Sequence, residues 1–174
     1  KIKRICKLKK ISIIEDAAES FGVKISKGKN LISSGCQGDF GCYSFNGNKI
    51  VTTGSGGAIV TNLKKTYNYL NYVATQARDD SFQYIHKEMG YNYKLNNLLS
   101  CVGISQLQKL KVFIKKKKVI HKHYINELEN FNGIKILNPG SDILSNYWFN
   151  IMTFKNFNID KLKKFRTFCN KNKI

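Results

Sequence analysis

Acidic side chains are scarce in this chain: 11 Asp and Glu stand against 30 Lys and Arg, a formal charge of +19 over 174 residues. Such an excess raises a polyanion, nucleic acid or a membrane surface, as the first candidate partner. The arrangement argues against it. The basic residues are spread along the chain, densest at 1–10 and 115–118, and lack the interleaved aromatics of a stacking platform. With one proline and abundant Lys, Asn and Ile, the charge reads as compositional bias, so the expectation is weak, salt-sensitive polyanion binding and no specific nucleic-acid partner. Long apolar runs are missing as well. No stretch approaches membrane-spanning length, and the basic start KIKRICKLKK leads only into a short apolar run at 11–14, too little for a signal peptide. Cys6, Cys36, Cys42, Cys101 and Cys169 contain no C-x-x-C pair and no metal-ligand spacing, so this odd count points to a reduced, cytoplasmic protein without a metal site. The chain has no initiating Met and opens on what reads as a helix end, the pattern of a fragment.

What is present is an ordinary 42% of apolar residues and an alternation of strand and helix patterns that indicates an α/β fold. Residues 1–9 read as a helix end and 11–14 as a buried strand of the parallel type, continuously apolar and closed by Glu15 and Asp16. Ligands of open α/β sheets sit at the carboxyl ends of such strands, which places Asp16 to act; the alternative is an N-cap for a helix over 17–21. A hairpin turning at 27–30 is expected next, then a strand at 40–45, an Asn46-Gly47-Asn48 turn, the glycine cluster 54–57 and a strand at 58–61. Helices are expected over 63–75, 97–115 and 118–131. Leu98, Val102, Leu107 and Leu110 form an apolar stripe suited to core or subunit contacts. His121 and His123 lie on different helix faces and make a poor metal pair. Strands at 134–137 and 148–154 open a second region, closed by an amphipathic helix over 159–173.

Lys49 differs from the other lysines because Ile50, Val51, two threonines and the glycine cluster follow it. A charge set among β-formers is costly unless something uses it, although a lysine snorkelling from a loop would look the same locally. The glycines match neither the dinucleotide fingerprint nor the P-loop, whose lysine follows its glycines, and alone they read as a hairpin turn. Asp16, Ser44 and Lys49 together have a sharper meaning. A lysine amine can form a Schiff base with pyridoxal 5'-phosphate, whose ring nitrogen needs a carboxylate to stay protonated and whose phosphate needs hydroxyl or amide donors.

The runs IEDAAESFG, GDFGCYSFNGNKIVTTGSGGAIVTN, GYNYKLNNLLSCVGISQLQKL and SNYWFN resemble, in order and spacing, the DegT/DnrJ/EryC1/StrS nucleotide-sugar aminotransferases. SFNGNKI, YIHKEMGYNY and SNYWFN are most similar to members that aminate a UDP-linked 4-keto-6-deoxy-N-acetylglucosamine. The resemblance implies part of the large domain of a fold-type-I, aspartate aminotransferase-like enzyme over 1–131 and the beginning of a small α/β domain over 132–174. It implies a ping-pong transaminase of surface-glycan synthesis, with an amino-acid donor such as glutamate and a nucleotide-sugar acceptor. Lys49 would be the Schiff-base lysine and proton shuttle, Asp16 the partner of the pyridinium nitrogen, and Ser44 a phosphate ligand. Ala17 and Ala18 would leave room for the ring, with Glu19 beside it. The site would lie at a homodimer interface, where Asn92 reaches the neighbour's phosphate and His86 faces the sugar nucleotide. Members usually carry Arg where this chain has Lys94, which cannot reproduce a bidentate guanidinium contact. Family members are considerably longer, so a truncated, inactive remnant is the competing reading.

Overall fold

The computed structural model describes residues 1–80, 82–155 and 158–174. In chain order the elements are α1 (Ile2–Leu8), β1 (Ile14–Asp16), β2 (Lys24–Lys27), β3 (Asn30–Ser33), β4 (Phe40–Ser44), β5 (Gly57–Val60), α2 (Lys64–Ala74) and α3 (Asn97–Gln108). Then follow α4 (Leu110–Leu128), β6 (Ile134–Ile136), β7 (Ile143–Leu144), β8 (Met152–Phe154) and α5 (Ile159–Lys171). They form two compact units, one of Lys1–Lys117 with Pro139–Trp148, the other of Lys118–Asn138 with Phe149–Ile174.

In the first unit β1 pairs in parallel with β4, Asp16 opposite Cys42, and β4 pairs antiparallel with β5, Ser44 opposite Gly57. The register is pinned by one side chain. The Glu15 carboxylate accepts the backbone N–H groups of Gly35, Gln37 and Gly38, which holds the approach to β4 against β1. Close approach also demands glycine at position 41, where a Cβ would run into the Gly35 carbonyl. Beside this sheet, β2 and β3 form the expected hairpin around Gly28, and β2 takes β7 on its other side. Phe21 meets Tyr43 and Phe45 edge to face, with ring centroids 5.1 and 5.5 Å apart. Val51 is the largest fully buried side chain among the described residues.

In the second unit β6 and β8 pair antiparallel, and Asn158 caps α5 by accepting the N–H groups of Asp160 and Lys161. His121 is buried there, its ring nitrogens 2.8 and 2.9 Å from the amide oxygens of Asn150 and Asn138. It fills a hydrogen-bonded core position.

Four expectations shift. The first strand begins at Ile14, not Ile11, because the Ile11 N–H is spent closing α1 on the Cys6 carbonyl. It is an edge strand with Ile14 exposed, so it is not buried within this chain. Asp16 caps no helix, since residues 17–21 form turns. The break between the long helices falls at Lys109, whose N–H bonds Gln106, while the 115–118 lysines stay inside α4 because lysine is a good helix former. The last strand starts at Met152, since the side chain of Asn146 turns the backbone at Trp148. Leu98, Val102 and Leu107 are exposed, so the α3 stripe is no part of this chain's core.

Glu15→Ala leaves three partly buried N–H groups without their acceptor, and urea unfolding is expected to show a loss of about 2–4 kcal/mol. The Tyr43 hydroxyl is pushed from 10.0 up to about 12, first by desolvation, then by the hydrogen bond and charge of Cys36 and the charge of Glu15. The fold thus prefers the neutral phenol, whose contribution is complete below pH 10.0 and is lost as pH rises through about 12. Unfolding free energies across that window should fall more steeply for the wild type than for Tyr43→Phe.

Candidate active site

Lys49 stands in the loop between β4 and β5, and its neighbours fix it before its own side chain does. The loop is stitched by Phe45 N–H to the Gly56 carbonyl, Thr53 N–H to the Phe45 carbonyl and Lys49 N–H to the Asn46 carbonyl, at 2.9 to 3.0 Å. Ile50 and Val51, directly after the lysine, are buried and anchor it. The side chain is 14% exposed, with Nζ 3.5 Å from Glu19 Oε1 and 4.4 Å from the ring centroid of Trp148. Trp148 is placed by two further bonds. Its indole N–H donates to the Asn48 carbonyl at 2.8 Å, and Asn146 Oδ1 accepts its backbone N–H. Asn146 in turn donates through Nδ2 to the carbonyls of Glu19 and Phe21, at 3.0 and 3.1 Å. The segment 146–148 therefore ties the Lys49 loop to the turn that follows β1.

Asp16 is the last residue of β1, exposed, with Oδ1 accepting the Ala18 N–H at 3.1 Å. Its register partner Cys42 lies two residues before Ser44 on β4, so strand alternation puts Asp16 and Ser44 on the same face. The Ser44 hydroxyl accepts the Asn46 N–H at 3.3 Å. Ala17 is buried and Ala18 partly so.

Asn92 belongs to a different neighbourhood. Its backbone bridges to Thr75 at the end of α2, between Tyr91 and Tyr93, whose rings stack 4.8 Å apart. It is exposed, and no hydrogen bond among the described residues joins it to Lys49, Asp16 or Ser44. His86 is likewise exposed, with Nδ1 2.7 Å from the Gln76 carbonyl. Lys94 lines a cavity with Tyr91, Tyr93, Ile59 and Leu70.

Trp148 and Asn146 are the residues that sequence reasoning left without a role. Their signal in the sequence is the chain's one tryptophan, inside SNYWFN. Among the described residues no group of His, Cys, Asp and Glu could hold a metal ion, and no helix is long and apolar enough to cross a membrane.

Residues 1–174 match the DegT/DnrJ/EryC1/StrS aminotransferase family. The chain belongs to that family. EpsN of Bacillus subtilis (strain 168), provisionally named a pyridoxal phosphate-dependent aminotransferase, is 40% identical over 152 residues, 87% of this chain and 38% of that protein. GDP-perosamine synthase of Escherichia coli O157:H7 is 35% identical over 84% of this chain and 39% of its own length. The UDP-4-amino-4,6-dideoxy-N-acetyl-beta-L-altrosamine transaminase of Campylobacter jejuni subsp. jejuni serotype O:23/36 (strain 81-176) is 29% identical over 95% and 44%. A crystal structure of a DegT DnrJ EryC1 StrS aminotransferase from Brucella abortus superposes with a TM-score of 0.79 at 26% identity, covering 94% of this chain and 42% of that one. The α/β expectation holds: the chain has the fold of these aminotransferases. It spans about two fifths of its relatives' length.

As the sole tryptophan, Trp148 reports on Lys49. Lys49→Met removes the ammonium from its ring face and is expected to change the intensity of tryptophan emission, whereas Lys122→Met should not; equal spectra from wild type and Lys49→Met would show the contact to be absent in solution.

Proposed function

We propose that the protein carrying this chain is a pyridoxal 5'-phosphate-dependent transaminase. It moves an amino group from an amino acid, glutamate, to C4 of a UDP-linked 4-keto-6-deoxy sugar during cytoplasmic synthesis of surface glycans. The observation that carries this reading is Lys49 itself, an amine withdrawn from solvent between one carboxylate and one indole face, in the loop leaving the strand that also bears Ser44. Residues 1–131 then belong to the cofactor-binding large domain and 132–174 to the beginning of a small one.

The residues suit that cofactor. Ser44 uses its oxygen as a local acceptor and keeps its proton for a phosphate oxygen. Asp16 spends Oδ1 on its own turn, so Oδ2 can face a ring nitrogen. Ala17 and Ala18 put no bulk in the way. Bound pyridoxal phosphate supplies an aldehyde carbon for amines and a ring that withdraws electrons while its nitrogen is protonated. Asp16 holds the proton at that nitrogen. Lys49 Nζ anchors the cofactor, then takes a proton from the donor's α carbon and returns one at C4 of the sugar. Glu19 lies beside this amine and tunes its orientation.

Asn92, joined by no described hydrogen bond to Lys49, Asp16 or Ser44 of its own chain, fits a role in a second copy's site and so a homodimer, for which Leu98, Val102 and Leu107 offer an exposed apolar face. The relatives' names span GDP- and UDP-linked sugars, so the choice of UDP rests on the SFNGNKI, YIHKEMGYNY and SNYWFN runs. The extent of open apolar surface favours a second reading for this length of chain alone, a remnant that neither dimerises nor binds cofactor.

Full-length protein mixed with pyridoxal phosphate is expected to develop a visible absorption band that Lys49→Ala abolishes. Asp16→Asn should keep the band and lower turnover by roughly 10²-fold. A wild type without the band, or an undiminished band in Lys49→Ala, would overturn the assignment. The same measurement on residues 1–174 alone separates enzyme from remnant.

A further inference from the structure

Away from the Lys49 loop, three lysines converge on a cavity of about 460 Å³, lined by Lys3, Lys7 and Lys10 with Cys6, Ile13 and Asp39 among its other walls. Its volume falls within the range of small-ligand sites. Lys3 and Lys7 stand one turn apart on one face of α1, and Lys10 follows its cap at the same cavity. Like charges one helical turn apart repel. Among the described residues no carboxylate forms an ion pair with any of the three. Asp39, the acid in the cavity wall, is already engaged, with Oδ2 accepting the Ile13 N–H at 2.7 Å. Lys3 Nζ is held at the rim by the Gln37 carbonyl, 2.8 Å away.

Lys10 sharpens the case. Helix α1 closes in a Schellman motif, with the Ile11 N–H on the Cys6 carbonyl at 2.9 Å and the Lys10 N–H on the Lys7 carbonyl at 3.3 Å. That puts Lys10 at φ 53, in the left-handed position where glycine is the usual occupant. Lys10 therefore carries backbone strain that glycine would relieve, as Lys173 does where α5 closes in the same motif at φ 56.

We propose that this cavity binds a phosphate-bearing anion of two or more negative charges, with Lys7 and Lys10 as its principal partners. The cavity gathers the residues before β1, whereas Asp16 stands at that strand's carboxyl end, so this site is separate from the one around Lys49. Ammonium groups serve such a ligand as compact point charges with three donors each. A bound dianion also cancels the repulsion along α1.

The test is calorimetric titration of the full-length protein with inorganic pyrophosphate at physiological ionic strength. Wild type should show saturable binding that weakens at least about tenfold in Lys7→Ala and in Lys10→Gly, the loss expected for one charged hydrogen bond. Lys10→Gly suits the left-handed backbone, so thermal unfolding should find it at least as stable as wild type and rule out misfolding as the cause. Lys122→Ala should bind as wild type does. Adenosine diphosphate titrated alongside separates the sources of the phosphate: tighter binding than pyrophosphate marks a nucleotide site, equal or weaker binding an inorganic one. No saturable binding, full affinity in Lys10→Gly, or an equal loss in Lys122→Ala through diffuse charge would overturn the proposal.

Discussion

Three hydrogen bonds from two side chains hold the lysine loop to the end of the first strand. Asn146 spans the carbonyls of Glu19 and Phe21, and the Trp148 indole donates to the carbonyl of Asn48, linking residues a hundred or more positions apart. Without that return, the turn after β1 and the loop after β4 would share, besides the strand pairing, only the Phe21–Phe45 ring contact and the exposed Lys49–Glu19 pair. The pairing itself depends on the Glu15 carboxylate collecting three amides from the approach to β4. The two devices act in series: Glu15 sets where β4 lies, and the 146–148 segment sets where the loop leaving it goes. A lysine amine, an aspartate at a strand end and a serine on the neighbouring strand inherit fixed places from a backbone they do little to build.

The charge excess separates into three kinds of lysine. Most stand exposed with no ion pair among the described residues, which matches compositional bias. Lys49 is withdrawn, paired and stacked. Lys3, Lys7 and Lys10 are exposed yet line one cavity, and none of them forms an ion pair among the described residues. Net charge alone cannot tell these apart, because +19 is the same sum whether amines scatter or face one another. Geometry distinguishes them, and it makes the second and third groups the ones with chemical consequences.

How much of this was legible follows from the range of the forces involved. The β2–β3 hairpin, β4, β5, α2 and α5 were readable because turn residues and apolar periodicity act over a few positions. The start of β1 was misplaced because the end of α1 consumed the Ile11 amide, a competition invisible to hydropathy. The four lysines at 115–118 read as a break, yet a helix accepts them and breaks at Lys109 instead. Trp148 read as a strand residue, and β7 was not foreseen, because both owe their places to partners far away in the chain. Asp16, Ser44 and Lys49 could be singled out from local pattern and motif; that Asn146 and Trp148 position the lysine could not.

The two contacts of Lys49 differ in what they can do. Glu19 is 61% exposed at its side chain and sits 3.5 Å away, so solvent screening leaves that pair in the range of exposed salt bridges, about 0–1 kcal/mol. Trp148 is buried, and a cation over a shielded indole gains about 0.5–2 kcal/mol. The indole also has no freedom to follow the amine, since both its ring N–H and its backbone N–H are held. A mobile carboxylate can let the lysine turn, whereas a fixed ring defines the direction from which it turns. On these magnitudes the direction of the Lys49 amine is set by Trp148 and only tuned by Glu19, so its position rests on an aromatic residue brought in from far along the chain.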